Sequence, residues 1–226
     1  MRPNVILAKN KKPKFYFVPV LKAGWVTLNS VIYDNFEENE VIQEPVEILD
    51  LIKSTNNLED ATGFTVVRNP YSRIVSFYYD KLKETSRYHI KNGGFRSSHV
   101  SVANALNFNI HENTEKVLNM FLDLKFDEFI QNYKENIRSN PHTRPQTADL
   151  IDHNGNFKID HVFKLENLCE EWENIEDIVG KEMELYHYNE TKSKRKDYRE
   201  YYSPHTKELV GELYKADLEV FNYTFS

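Results

Sequence analysis

The chain has a single cysteine, Cys169. A disulfide within the chain needs two thiols and a structural zinc site needs several ligands, so neither is expected and a reducing, cytoplasmic setting fits best. Long apolar runs are also missing: nothing approaches the ~20 residues that a membrane helix requires. The opening Met1-Arg2-Pro3-Asn4, followed by Lys11-Lys12-Pro13-Lys14, lacks the apolar stretch of a signal peptide. No transmembrane segment and no leader are therefore expected. Basic charge is scarce, with Lys and Arg totalling 29 against 35 Asp and Glu, a net charge of −6. General nucleic-acid binding, which needs a basic face, is not expected, and an anionic ligand would need a local basic cluster. No ligand cluster suggests a metal. Repeats and low-complexity blocks are absent, and 226 residues suffice for one sizeable core, so residues 1–226 read as a single domain. No feature of the sequence addresses oligomeric state.

What is present centres on residues 64–81. Phe64-Thr65-Val66-Val67 is a short apolar, β-branched run that reads as a buried strand. Asn69-Pro70 breaks it, because proline cannot donate to a ladder and pushes the preceding residue out of the helical region. From Pro70 the apolar residues Tyr71, Ile74, Val75, Tyr78 and Leu82 recur on one helical face, with proline well suited to the first position. Arg68 then sits at the carboxyl end of a strand and Ser76 about two turns into the next helix. In open α/β sheets that end forms the ligand crevice. A planar charged fork and a neutral donor together suit a phosphate monoester.

Earlier in the chain, Phe15 to Val20 reads as a strand, Lys22-Ala23-Gly24 as a tight turn, and Thr27 onward as a helix carrying Leu28, Val31 and Ile32. A glycine and lysine between strand and helix can cradle phosphate, since the amides of the helix start and the ammonium both face the anion. An ordinary αβ connection explains the same residues. The spacing is not that of the common nucleoside-triphosphate loop, which continues Gly-Lys-Ser/Thr. Residues 34–63 read as a variable acidic connection plus a short helix, Val46 to Ile52.

Residues 83–113 hold Lys83, Arg87, His89, Lys91, Arg96, His99 and His111 with little periodicity, which predicts either a substrate-facing loop or a surface excursion. Helical patterns follow from Thr114, the second over Phe126 to Tyr133. Asn140-Pro141-His142-Thr143-Arg144-Pro145-Gln146 is bracketed by prolines and should be fixed in shape, so that His142 and Arg144 could serve as base and anion clamp, or be structural. Leu150 to Phe163 predicts a hairpin turning at Asn154-Gly155, and Lys164-Leu165-Glu166-Asn167-Leu168 opens a helix through Trp172 and Ile175. Residues 186–204 form a basic loop whose Lys192, Lys194 and Arg195 suit closure over an anion, a localisation or nucleic-acid patch being the alternative. Residues 205–226 supply a closing helix, Lys207 to Phe221.

Together these pieces resemble the sulfotransferases, specifically the carbohydrate sulfotransferase-like branch, sulfotransferase family 2. The family carries Val-Arg-x-Pro-x-x-Arg-x-x-Ser-x-Tyr, and this chain has Val67-Arg68-Asn69-Pro70-Tyr71-Ser72-Arg73-Ile74-Val75-Ser76-Phe77-Tyr78. His142-x-Arg144-Pro145-Gln146, Lys164 to Leu168 and the ending Leu213 to Tyr223 are similar to segments of the same branch. The resemblance implies an α/β fold with a P-loop-like central parallel sheet flanked by helices. It implies 3′-phosphoadenosine 5′-phosphosulfate as donor, adenosine 3′,5′-bisphosphate as product, and a carbohydrate or glycolipid acceptor. By resemblance Arg68 and Ser76 hold the 3′-phosphate, and Lys22, Ala23, Gly24, Trp25, Val26 and Thr27 face the 5′-phosphosulfate. Trp25 and Val26 stand where the family has small or hydroxyl residues, so contacts there fall to backbone amides or Thr27.

In-line sulfuryl transfer builds charge on the leaving phosphate oxygen and needs a base for the acceptor proton. Lys22 is expected in the first role and His142 in the second, since histidine titrates in the useful range. His89, His99 and Glu166 are rivals and, with Arg144, candidate acceptor contacts; Glu166 is expected instead to order a neighbouring basic side chain. Two other classes stay open on sequence alone. One is a nucleotide-binding module of the same fold without transfer. The other is a P-loop-like kinase, against which the missing Gly-Lys-Ser/Thr argues.

Overall fold

A computed structural model of the chain describes residues 4–8, 15–37, 40–45, 61–84, 97–109, 114–152, 154–186 and 196–226. The chain forms two compact units, Met1–Asn69 with Gln146–Ser193, and Pro70–Pro145 with Lys194–Ser226.

The first unit is built on a sheet of five strands: β1 (Asn4–Ala8), β2 (Phe15–Phe17), β3 (Val41–Pro45), β4 (Thr62–Val67) and β5 (His161–Lys164), ordered β3-β1-β2-β4-β5. The expected parallel centre is there: β2, β4 and β5 run parallel, with Phe17 opposite Phe64 and Val67 opposite Lys164. β1 is antiparallel to both its neighbours. Near-continuous apolar runs suit strands buried on both faces, and Phe15, Phe17, Phe64, Val66 and Val67 are wholly buried. Val18 N–H extends the ladder onto the Phe64 carbonyl at 2.9 Å, shortly before the chain enters the turn at residues 21–24.

Helix α1 (Trp25–Asn35) starts two residues before the expected Thr27 and buries Leu28, Val31 and Ile32 against Phe15, Phe17 and Phe64. Phe163, Trp172 and Ile175 complete this aromatic core. Each such side chain contributes roughly 1.5–3 kcal/mol on burial.

Three expectations are corrected in this unit. β3 occupies part of what reads as a variable connection; the short helix expected over Val46 to Ile52 lies outside the described residues. The hairpin over 150–163 reduces to one bridge, Ile151 with Phe157, around a turn whose Gly155 has φ 84°, and the strand after it joins β4 in parallel instead of folding back. Burial of Phe163 in the sheet core outweighs the local turn signal. A 3₁₀ turn over Leu165–Asn167 then precedes the helix at Trp172–Val179.

The second unit is helical. Helix α2 (Pro70–Tyr78) starts at the proline as expected and continues as a π-helical turn over Tyr79–Glu84. It is followed by α3 (Ser97–Ala105), α4 (Thr114–Asp123), α5 (Phe126–Tyr133), then α8 (Pro204–Leu213) and α9 (Lys215–Val220); α6 (Thr147–Leu150) and α7 (Trp172–Val179) belong to the first unit. The long loop expected over 83–113 is corrected: Ser97–Ala105 is a helix, with Val102 and Ala103 in the core. The single closing helix is corrected too, because it breaks at Tyr214, whose φ is −111°. Within the basic loop expected over 186–204, a 3₁₀ turn forms at Tyr198–Tyr201 and α8 begins at Pro204.

Lys83 closes the end of α4. Its Nζ donates to the carbonyls of Phe121, Leu122 and Leu124 at 3.1, 2.5 and 2.7 Å, taking acceptors that a helix end leaves unpaired. Among the described residues no helix is long and apolar enough to cross a membrane.

Candidate active site

Parallel strands place their carboxyl ends side by side, and the two sequence-predicted anchors of the first unit emerge there from β2 and β4. The turn after β2 is tight. Ala23 N–H returns to the Val20 carbonyl at 3.2 Å, while Lys22 (φ 69°) and Gly24 (φ 79°) both take left-handed backbone. Glycine carries that conformation freely, whereas lysine carries it at a cost of roughly 1–2 kcal/mol. Strain kept at a residue of this chemistry is characteristic of functional turns.

Gly24 caps α1 with no side-chain hydrogen bond, and the first amide to close back onto the cap is Leu28 N–H, at 3.1 Å from Gly24 O. The leading amides of Trp25, Val26 and Thr27 lie at the positive end of the helix. Space is also specific here: a Cβ on Gly24 would come 2.9 Å from Leu165 Cδ1. Trp25 packs against the aromatic core, Thr27 is buried and Val26 is 40% exposed, so neither apolar replacement fills the turn itself. Backbone amides, the Lys22 ammonium and a glycine whose left-handed backbone disfavours any side chain fit a phosphate or sulfate group.

Arg68 follows the last ladder residue of β4. Its Nη1 donates to the Lys22 carbonyl at 3.4 Å, which joins the strand-end arginine to the lysine turn. Gln146, wholly buried, grips the Arg68 backbone: Oε1 accepts Arg68 N–H at 2.9 Å and Nε2 donates to Arg68 O at 2.8 Å. Glu166 Oε1 accepts Asn69 N–H at 2.8 Å. The glutamate thus orders the backbone just past the arginine. Gln146 is the residue that sequence reading of the site missed. The available signal was a long polar side chain directly after Pro145, ahead of a helix whose Leu150 is buried.

The second unit holds the other predicted residues. Ser76 lies half-buried on the second turn of α2. His142 and Arg144 sit in a segment that is pinned as its prolines suggested, by interlocking hydrogen bonds. Asn140 Oδ1 accepts His142 N–H at 2.9 Å, Asn140 O accepts Arg144 N–H at 2.8 Å, and Asn140 Nδ2 donates to Tyr133 Oη at 2.7 Å. Arg73, 1% exposed, donates to Arg144 O at 2.8 Å, and Tyr214 Oη donates to Thr143 O at 2.5 Å. Burial, with Asp217 and Tyr133 nearby and Arg73 opposing, raises the Tyr214 phenol above its ordinary pKa. The His142 ring lies 6.2 Å from that of Phe77, with Nδ1 buried.

His99 does not face an open loop; on α3 its side chain is wholly buried. His89, Lys192, Lys194 and Arg195 lie outside the described residues.

An α/β sheet whose parallel strands end in a glycine–lysine turn and an arginine has the chemistry of an anion-binding site. A family model described as the sulfotransferase family matches residues 5–224 in one run that takes in both units. The chain belongs to the sulfotransferase family, in its family 2 branch; it is an α/β enzyme that takes a sulfonate donor and an acceptor. No curated protein and no solved structure matched the chain.

Proposed function

We propose that this sulfotransferase moves the sulfuryl group of 3′-phosphoadenosine 5′-phosphosulfate onto a hydroxyl of a carbohydrate or glycoconjugate. The sulfur–oxygen bond to the leaving phosphate breaks as a sulfur–oxygen bond to the acceptor forms, and the acceptor proton passes to a base. Adenosine 3′,5′-bisphosphate is released. Lys22 offers its ammonium to the charge that develops on the leaving phosphate oxygen, and amides from Gly24 to Thr27 receive the 5′-phosphosulfate oxygens. Arg68 supplies a charged fork to the 3′-phosphate, with Ser76 as the neutral donor. His142 takes the acceptor proton, which requires its neutral imidazole.

The observation that carries this reading is the bond from Arg68 Nη1 to the Lys22 carbonyl. It joins the Arg68 side chain to the backbone of the lysine turn, beside a helix start, within one unit of an otherwise acidic chain. The family match supports transfer of a sulfuryl group, and the spacing Val67-Arg68-x-Pro70-x-x-Arg73-x-x-Ser76 supports the named donor.

The test is incubation of the full chain with sulfur-labelled donor and a panel of glycans, glycolipids and small hydroxylated metabolites. Label is expected in saccharide products. Binding of the bisphosphate without transfer to any acceptor would instead mark a nucleotide-binding module, and label confined to non-saccharide products would overturn the acceptor assignment.

A further inference from the structure

The ladder between β4 and β5 ends at Val67 and Lys164. Beyond it β5 gives way to the 3₁₀ turn Leu165–Asn167, so strand pairing on that side stops just before Asn69; Arg68, four residues on from Phe64, faces the other side, where Val18 N–H bonds Phe64 O and β2 has ended at Phe17. Side chains take over where the strand stops. In an extended chain a residue's N–H and C=O point to the same side, and in a parallel ladder one neighbouring strand satisfies both. At Arg68 Gln146 satisfies both alone, with its carboxamide oxygen at 2.9 Å and its nitrogen at 2.8 Å. At Asn69 the Glu166 carboxylate stands in as acceptor at 2.8 Å. Gln146 comes from the start of α6 and Glu166 from the turn after β5, so two separate segments converge on two consecutive backbone units.

We propose that Gln146 and Glu166 are positioning residues for the donor. They hold the backbone of Arg68 and Asn69 in the one arrangement that sends the Arg68 guanidinium to the Lys22 turn. This rests on the reading of Arg68 as the ligand of a donor phosphate. A residue just past the last rung of a ladder is otherwise free to rotate, and a ligand that must fix it loses affinity by the entropy of doing so. The carboxamide and the carboxylate fix it beforehand. Glutamine suits the Arg68 position because only a carboxamide both donates and accepts from one planar group, and complete burial shields both bonds from water.

The test uses the full chain and titration calorimetry with adenosine 3′,5′-bisphosphate, well below each variant's own melting temperature, together with donor KM and kcat. Gln146→Glu keeps the shape and the acceptor but sets a carboxylate oxygen against the Arg68 carbonyl; Glu166→Ala removes the acceptor for Asn69. Both are expected to weaken bisphosphate binding about tenfold or more and to raise donor KM in step, while kcat at saturating donor stays within about threefold. Glu166→Gln keeps an acceptor oxygen and is expected to bind within about twofold of the unmutated chain. If Gln146→Glu does not fold, the contrast of Glu166→Ala with Glu166→Gln decides, since Glu166 sits on an exposed turn. Unchanged affinity in Glu166→Ala, beside an unmutated chain that binds, overturns the positioning role alone. No binding by the unmutated chain overturns the donor reading and this inference with it.

Discussion

Arg68 Nη1 donates to the backbone carbonyl of Lys22 at 3.4 Å. The arginine therefore already sits at the lysine turn before any ligand arrives. Replacing it leaves the turn without its strand-end cation. Arg68→Ala is expected to abolish the rise in melting temperature that adenosine 3′,5′-bisphosphate gives the unmutated chain, a loss of about 1.5–3 kcal/mol of charged hydrogen bonding. Arg68→Lys should recover part of it, as a point charge without the planar fork. An unchanged shift in Arg68→Ala would remove this residue from the site.

Lys22 separates strain from chemistry. Its φ of 69° costs a non-glycine residue roughly 1–2 kcal/mol, whereas glycine there forfeits only about 0.5–1 kcal/mol through the freedom of the unfolded chain. Lys22→Gly should therefore melt at or above the unmutated protein, and above Lys22→Ala. Both variants should nonetheless lose about 10²–10³ in kcat, the usual cost of removing one group that meets developing charge. Thermal melts paired with turnover on the labelled donor check this. Full activity in the stable glycine variant would take the ammonium out of the mechanism.

The segment around His142 is held from two sides. Arg73 donates to the Arg144 carbonyl and Tyr214 to that of Thr143, so a residue at the break between the last two helices fixes the segment carrying the candidate base. His142→Asn is expected to lower kcat by about 10²–10⁴ and to flatten the acidic limb of the pH profile, leaving bisphosphate binding intact. Tyr214→Phe leaves the Thr143 carbonyl buried without this donor. It should cost about 1–3 kcal/mol of stability and reduce kcat more than donor KM. A pH profile unchanged in His142→Asn would return the base role to the other candidates.

Much of this was legible in the sequence. Pro70 marked the start of α2, the apolar runs marked β2 and β4, and the spacing from Val67 to Ser76 pointed to the family. What escaped depends on partners distant in the chain. β1 and β3 pair with each other across more than thirty residues, and their five-residue lengths give too little periodicity to stand out between charged and acidic neighbours. The Asn154-Gly155 turn was recognised, yet the strand after it was claimed by β4, which no local signal announces. Gln146 escaped for the same reason: a glutamine after a proline reads as polar surface until the backbone of Arg68, 78 positions away, is brought against it. His99 looked like part of a basic loop because Ser97–Ala105 has a weak apolar pattern, while Val102 and Ala103 carry the helix into the core.

The helical unit also predicts an alkaline limit to stability. Tyr78 donates to Leu124 O at 2.6 Å, Tyr202 to Tyr71 O at 2.9 Å and Tyr214 to Thr143 O at 2.5 Å, and an ionised phenol could make none of these bonds. Burial is the main cause that raises all three above the ordinary 10.0, and it raises Tyr71 and Tyr133 as well. A raised folded-state pKa means that the folded chain keeps protons the unfolded chain has lost. The contribution of these hydroxyls is thus complete below pH 10.0 and drains away as pH climbs toward their folded values. Each unit of raised pKa corresponds to about 1.4 kcal/mol, against a whole-domain stability of about 5–15 kcal/mol, so a few such groups decide the outcome. Melting temperature should fall steeply above pH 10, with phenolate absorbance growing in step with unfolding, and Tyr214→Phe should soften the fall. Tyrosines that ionise near pH 10 while the chain stays folded would show that these hydroxyls are not held as described.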